Sequence, residues 1–187
     1  MTDTVRVWDL FVRVFHWSLV IVIFTALITE DDLLTVHTIA GYIAGGLIVS
    51  RIIWGVVGPK HARFTDFVYS PKTVIAYIKG MASRSSKRYL GHSPAGGAMI
   101  IVLMILITLI VTTGMAAYGA EENAGPLAAY FGDASRATRS LLGGLHELLA
   151  NMLWVAIIMH VGGVVFSSLA HRENLVRSMI SGLKRKD

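Results

Sequence analysis

The sequence predicts an all-α integral membrane protein, a four-helix bundle with its N- and C-termini in the cytoplasm. Three observations support this fold class. The 187 residues are 54% hydrophobic and only 16% charged, whereas a soluble domain carries about a quarter charged residues. Several apolar runs reach the length of about 20 residues that a bilayer span requires. The basic residues lie mainly between these runs, as they do on the cytoplasmic side of membrane proteins.

The predicted spans belong to one domain that takes in the whole chain. They cover residues 10–28, 36–57, 94–118 and 141–170. The first span does not read as a cleaved signal peptide, because Asp3 and Asp9 precede it and no clean small-residue cleavage site follows. We therefore expect it to remain in the mature protein.

The connections between the spans differ in charge. The first turn is acidic, with Glu30, Asp31 and Asp32, and the 119–140 loop has three acids against two arginines. The 58–93 segment is basic through Lys60, Arg63, Lys72, Lys79, Arg84, Lys87 and Arg88. The positive-inside rule then places this segment and both termini in the cytoplasm and the acidic connections in the periplasm of a Gram-negative bacterium. A multi-pass protein of the bacterial inner membrane is expected.

The basic segment contains one stretch with helical character, from Ser70 to Ile78. Two interpretations fit it equally well. Val74, Ile75 and Ile78 could form the apolar side of a short helix on the membrane surface, in contact with lipid. The same residues could also belong to a solvated loop.

Composition excludes several function classes. The chain has no cysteine, so it has no disulfide framework, thiolate-bound iron–sulfur cluster or covalently attached c-type haem. The net charge of +5 does not indicate nucleic-acid binding, because the basic residues follow the membrane pattern instead. Any redox centre needs other ligands, and the seven histidines can supply them.

Four histidines lie in or at the ends of the predicted spans, and their depths match in pairs. His16 is near the cytoplasmic end of the first span, and His37 begins the second span on the opposite side. His146 and His160 lie 14 residues apart on the fourth span, which is about 21 Å along a helix with a drift of only about 40° around it. His37 can therefore pair with His146, and His16 with His160.

Haem is the ligand that best fits two imidazoles from separate helices of a bundle. Two haem b groups are therefore expected, one for each histidine pair. Gly41 and Gly45 follow His37 on its own helix face and would leave room for a macrocycle, although small residues also serve helix packing in membranes. Zinc is disfavoured because each level offers two histidines and no obvious membrane carboxylate, Glu147 being the nearest acid.

Several arginines could bind the haem propionates. Arg51 lies inside the second span, where an unpaired guanidinium is costly, and Arg13 lies one turn before His16. Both are candidates for the cytoplasmic haem, with snorkelling to lipid phosphate as the alternative. Arg136 and Arg139 could serve the second haem.

The motifs around these residues resemble bacterial cytochrome b561 and hydrogenase-type cytochrome b subunits over nearly the whole chain. The matching segments are residues 7–17 (VWDLFVRVFHW), 37–42 (HTIAGY), 51–55 (RIIWG), 145–161 with both histidines, and 171–179 (HRENLVRSM). The resemblance implies two b haems with the four histidines as ligands. It also implies electron transfer between the quinone pool and a partner, often a periplasmic c-type cytochrome. The chain has fewer spans than the larger hydrogenase cytochromes, which argues against a dedicated hydrogenase partner.

Three functions are compatible with these observations to different degrees. The first is electron transfer from quinol to a soluble redox partner, and a homodimer is compatible with it. The second is a quinol-dependent enzyme acting on a small oxidant such as superoxide, steered by Arg136 and Arg139. The third is a metal or proton transporter with a histidine relay, which is disfavoured because the spans lack broken helices and membrane carboxylates.

Overall fold

The structure is a computed structural model that describes residues 3–29, 33–83 and 85–186. The acidic turn at Glu30, Asp31 and Asp32, and Arg84 of the basic segment, lie outside the described residues. In chain order the elements are β1 (Thr4–Arg6), α1 (Leu10–Thr29), α2 (Leu34–Val57), a 3₁₀ turn (Lys60–Ala62), α3 (Phe64–Phe67), α4 (Pro71–Ala82), α5 (Pro94–Glu122), α6 (Ala128–Phe131), α7 (Arg136–Ala170), α8 (Leu175–Ser181) and β2 (Leu183–Arg185).

The four predicted spans are confirmed as helices long and apolar enough to cross a membrane: α1, α2, α5 and α7. All four run further than predicted: α1 and α2 by one or two residues, α5 to Glu122, and α7 from Arg136. Hydropathy marks the apolar part of a helix and not its polar ends. Large apolar side chains such as Ile28 and Ile158 are 75% and 68% exposed, which suits a surface that contacts lipid.

Contacts divide the chain into two compact units, each containing parts of all four long helices. The first unit comprises Met1–Ser18, Val49–Val102 and Ile157–Asp187, and the second comprises Leu19–Ile48 and Leu103–Ala156. The single domain expected from the sequence stays a prediction.

The first unit holds a feature that the sequence did not predict, a small antiparallel sheet. Strand β1 pairs with β2 so that Val5 lies opposite Lys184. Next to it, Trp8 packs in a small buried cluster with Val7, Val12 and Ala62. Strands of three residues are too short to show an alternating pattern, so nothing in the sequence marked them.

The helical interpretation of the stretch after Ser70 is confirmed. The Ser70 hydroxyl accepts a hydrogen bond from the Thr73 amide at 3.3 Å and caps α4, and Pro71 occupies the first turn, where its missing N–H is not needed. Tyr77 is buried, while Ile75 and Ile78 are about half exposed. The exposed isoleucines give α4 an apolar side without a protein partner among the described residues.

The second unit is held by direct contacts among the middle segments of the long helices. Phe24 of α1 meets Trp154 of α7 edge to face, with ring centroids 5.9 Å apart. Gly125, in the connection after α5, has φ +81°, and a Cβ there would lie 2.7 Å from the Tyr42 hydroxyl. Both the backbone angle and the close approach require glycine at this position.

Candidate haem sites

His37 of α2 and His146 of α7 face one another in the second unit. Their ring centroids are 5.9 Å apart and the rings are nearly perpendicular, at 82°. A histidine nitrogen lies about 2 Å from a bound metal, so two rings on opposite sides of one metal have centroids about 6 Å apart. The separation of these two rings therefore fits one metal ion between them.

Backbone carbonyls hold both rings of this pair. The Nδ1 atom of His37 lies 3.0 Å from the Ala26 carbonyl, and Nδ1 of His146 lies 3.1 Å from the Ile110 carbonyl. A carbonyl can only accept a hydrogen bond, so Nδ1 carries the proton in each ring. In this tautomer Nε2 carries the lone pair that a metal would bind, and the hydrogen bond at Nδ1 fixes the ring orientation, as in many metal-binding histidines. The Thr113 hydroxyl is a weaker neighbour of His146, 3.4 Å from Nδ1.

His16 of α1 and His160 of α7 form the corresponding pair in the first unit. Their ring centroids are 6.4 Å apart, at an interplanar angle of 49°, so this gap also fits one metal ion. Nδ1 of His16 is closed off from solvent and has no hydrogen-bond partner among the described residues. The ring instead contacts Trp17 edge to face.

The two predicted glycines have different surroundings. A Cβ added at Gly41 would meet nothing within 4 Å, whereas one at Gly45 would lie 3.1 Å from Val111. Gly41 therefore leaves open space beside the His37 helix, and Gly45 allows close packing of α2 on α5. Space is also open at Gly162 and Gly163, which follow His160.

Gly114 of α5 is a site residue that the sequence did not reveal. A Cβ at this position would lie 2.8 Å from Cε1 of His146, which is closer than such contacts allow. Gly114 thus provides the space that the imidazole occupies. It sits in a long apolar run without any nearby motif, so only the position of the neighbouring helix shows its role.

Arg51 is buried in the first unit, with 3% of its surface exposed. Its guanidinium carbon lies 5.4 Å from the centroid of the Phe64 ring and 5.6 Å from that of Phe67. These cation–π contacts offset part of the cost of burying a charge. Its Nη1 atom nevertheless has no hydrogen-bond partner among the described residues.

The other predicted arginines have different neighbours. Nη1 of Arg13 donates to the Ile180 carbonyl and Nε donates to the Asp9 carbonyl, so Arg13 ties α1 to α8. Arg136 and Arg139 are exposed in the first turns of α7, and Nε of Arg139 donates to the Ala134 carbonyl at 3.1 Å. The role of all three toward propionates stays a prediction.

The residues present fit haem b on chemical grounds. In each pair, the two imidazoles are separated by a distance that fits one metal ion. Among the described residues, no group of three or more histidine, cysteine, aspartate or glutamate side chains could hold a metal ion. A macrocycle would supply the remaining ligands of a metal at either pair, and the open space at Gly41, Gly162 and Gly163 suits one.

Comparison with known proteins gives the same assignment. Residues 7–182 match the family model of prokaryotic cytochrome b561. A probable Ni/Fe-hydrogenase B-type cytochrome subunit from Bradyrhizobium diazoefficiens is 26% identical, over 96% of this chain and 85% of the relative. The protein of the same description from Rhodobacter capsulatus is 28% identical, over 96% and 80%. The one from Cupriavidus necator is 26% identical, over 79% and 65%. No solved structure matches the chain.

The family match covers nearly the whole chain and includes all four histidines of the two pairs. Together with four apolar helices long enough to cross a membrane, it assigns b-type haem and membrane electron transfer to the protein. The chain is therefore a multi-pass membrane cytochrome b and belongs to the prokaryotic cytochrome b561 family.

Proposed function

We propose that the protein is a dihaem cytochrome b that transfers electrons between the quinone pool and a soluble redox partner. The observation that carries this proposal is the spacing within the two histidine pairs, whose ring centroids lie 5.9 Å and 6.4 Å apart, so that each pair fits one metal ion. One ring of each pair belongs to α7. His146 and His160 belong to the same continuous helix. Bound haem supplies one-electron redox chemistry at each pair.

The protein's own residues position the ligands. The Ala26 and Ile110 carbonyls accept from Nδ1 of His37 and His146, which presents Nε2 of each ring to the metal. If haem is bound at each pair, the two imidazoles would both hold its iron and would leave no position there for a substrate. This arrangement supports electron transfer and not substrate binding at the metal.

The charge pattern supports an orientation in the bacterial inner membrane. Helix α4 and the segments around it carry Lys72 and Lys79 on exposed positions, whereas the connection between α5 and α7 holds Glu121, Glu122 and Asp133. The positive-inside rule then gives cytoplasmic termini, with the His37–His146 pair on the periplasmic side. A redox partner in the periplasm would exchange electrons at that pair.

Two soluble partners are proposed. The relatives are described as probable cytochrome subunits of Ni/Fe-hydrogenase, so a hydrogenase is the first partner to test, against the expectation drawn from the number of spans. A periplasmic c-type cytochrome is the second, and it follows from the resemblance of the sequence motifs. Reduction of the purified protein by a hydrogenase with hydrogen, and its oxidation by a c-type cytochrome, distinguish them.

An enzyme that passes electrons from quinol to superoxide is an alternative. The observation that favours it is the exposure of Arg136 and Arg139 in the first turns of α7, the helix that carries His146. Exposed cations attract a small anion and raise its encounter rate, more strongly at low salt. Stopped-flow oxidation of the reduced protein by superoxide, compared with an Arg136→Gln/Arg139→Gln variant, tests this function.

The experiment for the main proposal is a haem count on protein purified in mild detergent. The reduced-minus-oxidised spectrum should show b-type haem, with two haems per chain. His37→Ala and His16→Ala should each retain one haem, while His171→Ala, a histidine outside both pairs, should retain two. A colourless wild-type protein under adequate haem supply would overturn the proposal and favour the transporter, and a haem that no quinol reduces would overturn its quinol half.

A further inference from the structure

Two nitrogen-containing side chains, the guanidinium of Arg51 and the imidazole of His92, contact the ring of Phe67. Phe67 has no exposed surface. The guanidinium carbon of Arg51 lies 5.6 Å from the ring centroid, and the imidazole centroid of His92 lies 4.7 Å from it. Nη1 of Arg51 and Nδ1 of His92 are both closed off from solvent without a hydrogen-bond partner among the described residues. Enclosed polar atoms in folded proteins are nearly always hydrogen-bonded, so a group outside the chain is the expected partner.

His92 is held as a neutral imidazole just before α5. Its ring packs against Trp8 at 4.5 Å and Phe67 at 4.7 Å between centroids. Burial, with a smaller effect of the charges of Arg51, Lys184, His61 and His160, lowers the pKa of His92 to about 3. At neutral pH the ring therefore has one N–H to donate. The charges that lower its pKa are positive, which favours an anion near the ring.

Nearby carboxylates of the first unit already have other donors. Asp9 accepts from the Val12 amide at 3.0 Å and from the Trp54 indole at 3.3 Å. Asp66 lies 2.9 Å from His61, and Glu173 binds Arg88 and Lys184. None of these carboxylates accepts a hydrogen bond from Nη1 of Arg51 or Nδ1 of His92.

We propose that Arg51 and His92 together bind a propionate carboxylate of the haem held by His16 and His160. The inference rests on the proposed function, because it requires haem at that pair. His92 packs against Trp8, which lies just before the helix that carries His16, with ring centroids 4.5 Å apart. Arg51, His92 and both histidines of the pair belong to the first unit. The carboxylate would accept hydrogen bonds from Nη1 of Arg51 and Nδ1 of His92.

The charge of Arg51 distinguishes a propionate from a quinone at this site. A quinone carbonyl accepts hydrogen bonds but is neutral, so Asp9, whose charge acts on Arg51 without a hydrogen bond to Nη1, would stay the main counter-charge of the buried guanidinium. A carboxylate balances the charge and satisfies both donors. A propionate and a quinone each have an oxygen that accepts hydrogen bonds, and two experiments distinguish them.

The first test measures the midpoint potential of each haem by optical redox titration in quinone-depleted protein. Arg51→Gln removes a positive charge near one haem and should lower its potential by about 59 mV, a tenfold shift of a one-electron equilibrium. His92→Phe keeps the aromatic packing without the donor and should lower the same potential. His92→Gln retains a hydrogen-bond donor and Arg51→Lys retains the positive charge, so the midpoint potentials of both variants should be close to those of the wild type. Lys79→Gln, at an exposed position of α4, is the control and should change neither potential.

The second test removes the charge from the ligand. Apoprotein reconstituted with the dimethyl ester of haem should hold it at the His16–His160 pair at least tenfold more weakly than ordinary haem. In the Arg51→Gln/His92→Phe variant the two haems should bind there with similar strength, because the carboxylate has lost its receptor. If the wild type and the double variant prefer ordinary haem over the dimethyl ester to the same degree, the proposal is wrong.

The outcomes also separate this inference from the proposed function. Unchanged potentials in Arg51→Gln and His92→Phe, with two haems still bound, would reject the propionate receptor and leave the cytochrome function standing. If these two variants keep their midpoint potentials but have a raised KM for quinol, the two donors bind a quinone instead. A wild-type protein without haem would reject both.

Discussion

The indole nitrogen of Trp8 donates to the hydroxyl of Ser178, at 3.3 Å and across 170 positions of sequence. Around this bond, the amides of Val7 and Trp8 donate to the Gly182 carbonyl, and β1 pairs with β2. The segments before α1 and after α7 are thus held together within the first unit. Because β1 and β2 pair, they lie on the same side of any membrane that the helices cross.

A buried ion cluster stabilises this arrangement, and its loss should destabilise the protein. Glu173 binds Arg88 at 2.8 Å and Lys184 at 3.2 Å, and both Glu173 and Lys184 are buried. Glu173→Gln leaves two cations without their carboxylate, so we expect a loss of about 3–5 kcal/mol in the free energy of unfolding. Unfolding in mixed detergent micelles measures it.

The matched control is the exposed ion pair at the chain ends. Lys186 and Asp3 are 2.7 Å apart, with more than half of each side chain exposed. Asp3→Asn should change the free energy of unfolding by less than about 1 kcal/mol. Equal effects of the two substitutions would show that burial does not strengthen the Glu173 cluster.

The same cluster predicts a pH dependence of stability. Burial alone would raise the pKa of Glu173, but the hydrogen bonds and charges of Arg88 and Lys184 lower it below its ordinary 4.5. A carboxyl with a lowered folded-state pKa stabilises the fold above its unfolded-state pKa, and this contribution is lost as the pH falls through the folded-state pKa. The difference in free energy of unfolding between wild type and Glu173→Gln should thus be constant above pH 5.5 or so and shrink below about 4.5. A difference that does not change with pH would contradict the assignment.

Gly114 predicts a selective loss of haem. In Gly114→Ala the new Cβ would lie 2.8 Å from the His146 ring, so the ring must tilt away from its metal-binding position. Haem per chain should fall from two to one, and the remaining haem should keep its potential. Gly144→Ala is the control, because a Cβ there meets nothing within 4 Å. Alanine also raises helix propensity by about 0.5–1 kcal/mol, so a haem loss confined to Gly114→Ala cannot come from a weakened helix.

The absence of cysteine makes the membrane orientation directly testable. Lys79→Cys on α4 and Ser135→Cys before α7 both introduce a thiol at an exposed position. With the termini in the cytoplasm, an impermeant maleimide added to whole spheroplasts should label Cys at position 135 and not at position 79. The reverse labelling pattern would invert the proposed orientation and move the His37–His146 pair to the cytoplasmic side.

The sequence predicted the long helices and the approach of the histidines because both depend on local periodicity. The 14-residue interval from His146 to His160 fixes depth and face on any straight helix. The structure brings the rings of both predicted pairs within 6.4 Å. Their role as haem ligands stays a prediction until haem is counted.

Other features depend on which segments meet in space, and no local pattern contains that information. The guanidinium of Arg13 donates to the carbonyl of Ile180, 167 positions away, a contact that no pattern near Arg13 predicts. The roles of His92 and Gly114 likewise come from neighbours on other elements. A histidine in a loop has many solvated alternatives, so no local pattern separates His92 from His61 or His171.

The pairing of β1 with β2 also sets an order for biosynthesis. Strand β1 leaves the ribosome first, whereas β2 is made only after all four long helices. Until then Trp8 lacks its partner Ser178, and β1 lacks its neighbouring strand. A chain truncated before residue 183 would keep every helix that crosses the membrane but present an open strand edge at the surface. Such an edge is the kind of feature that aggregation and quality-control proteases act on.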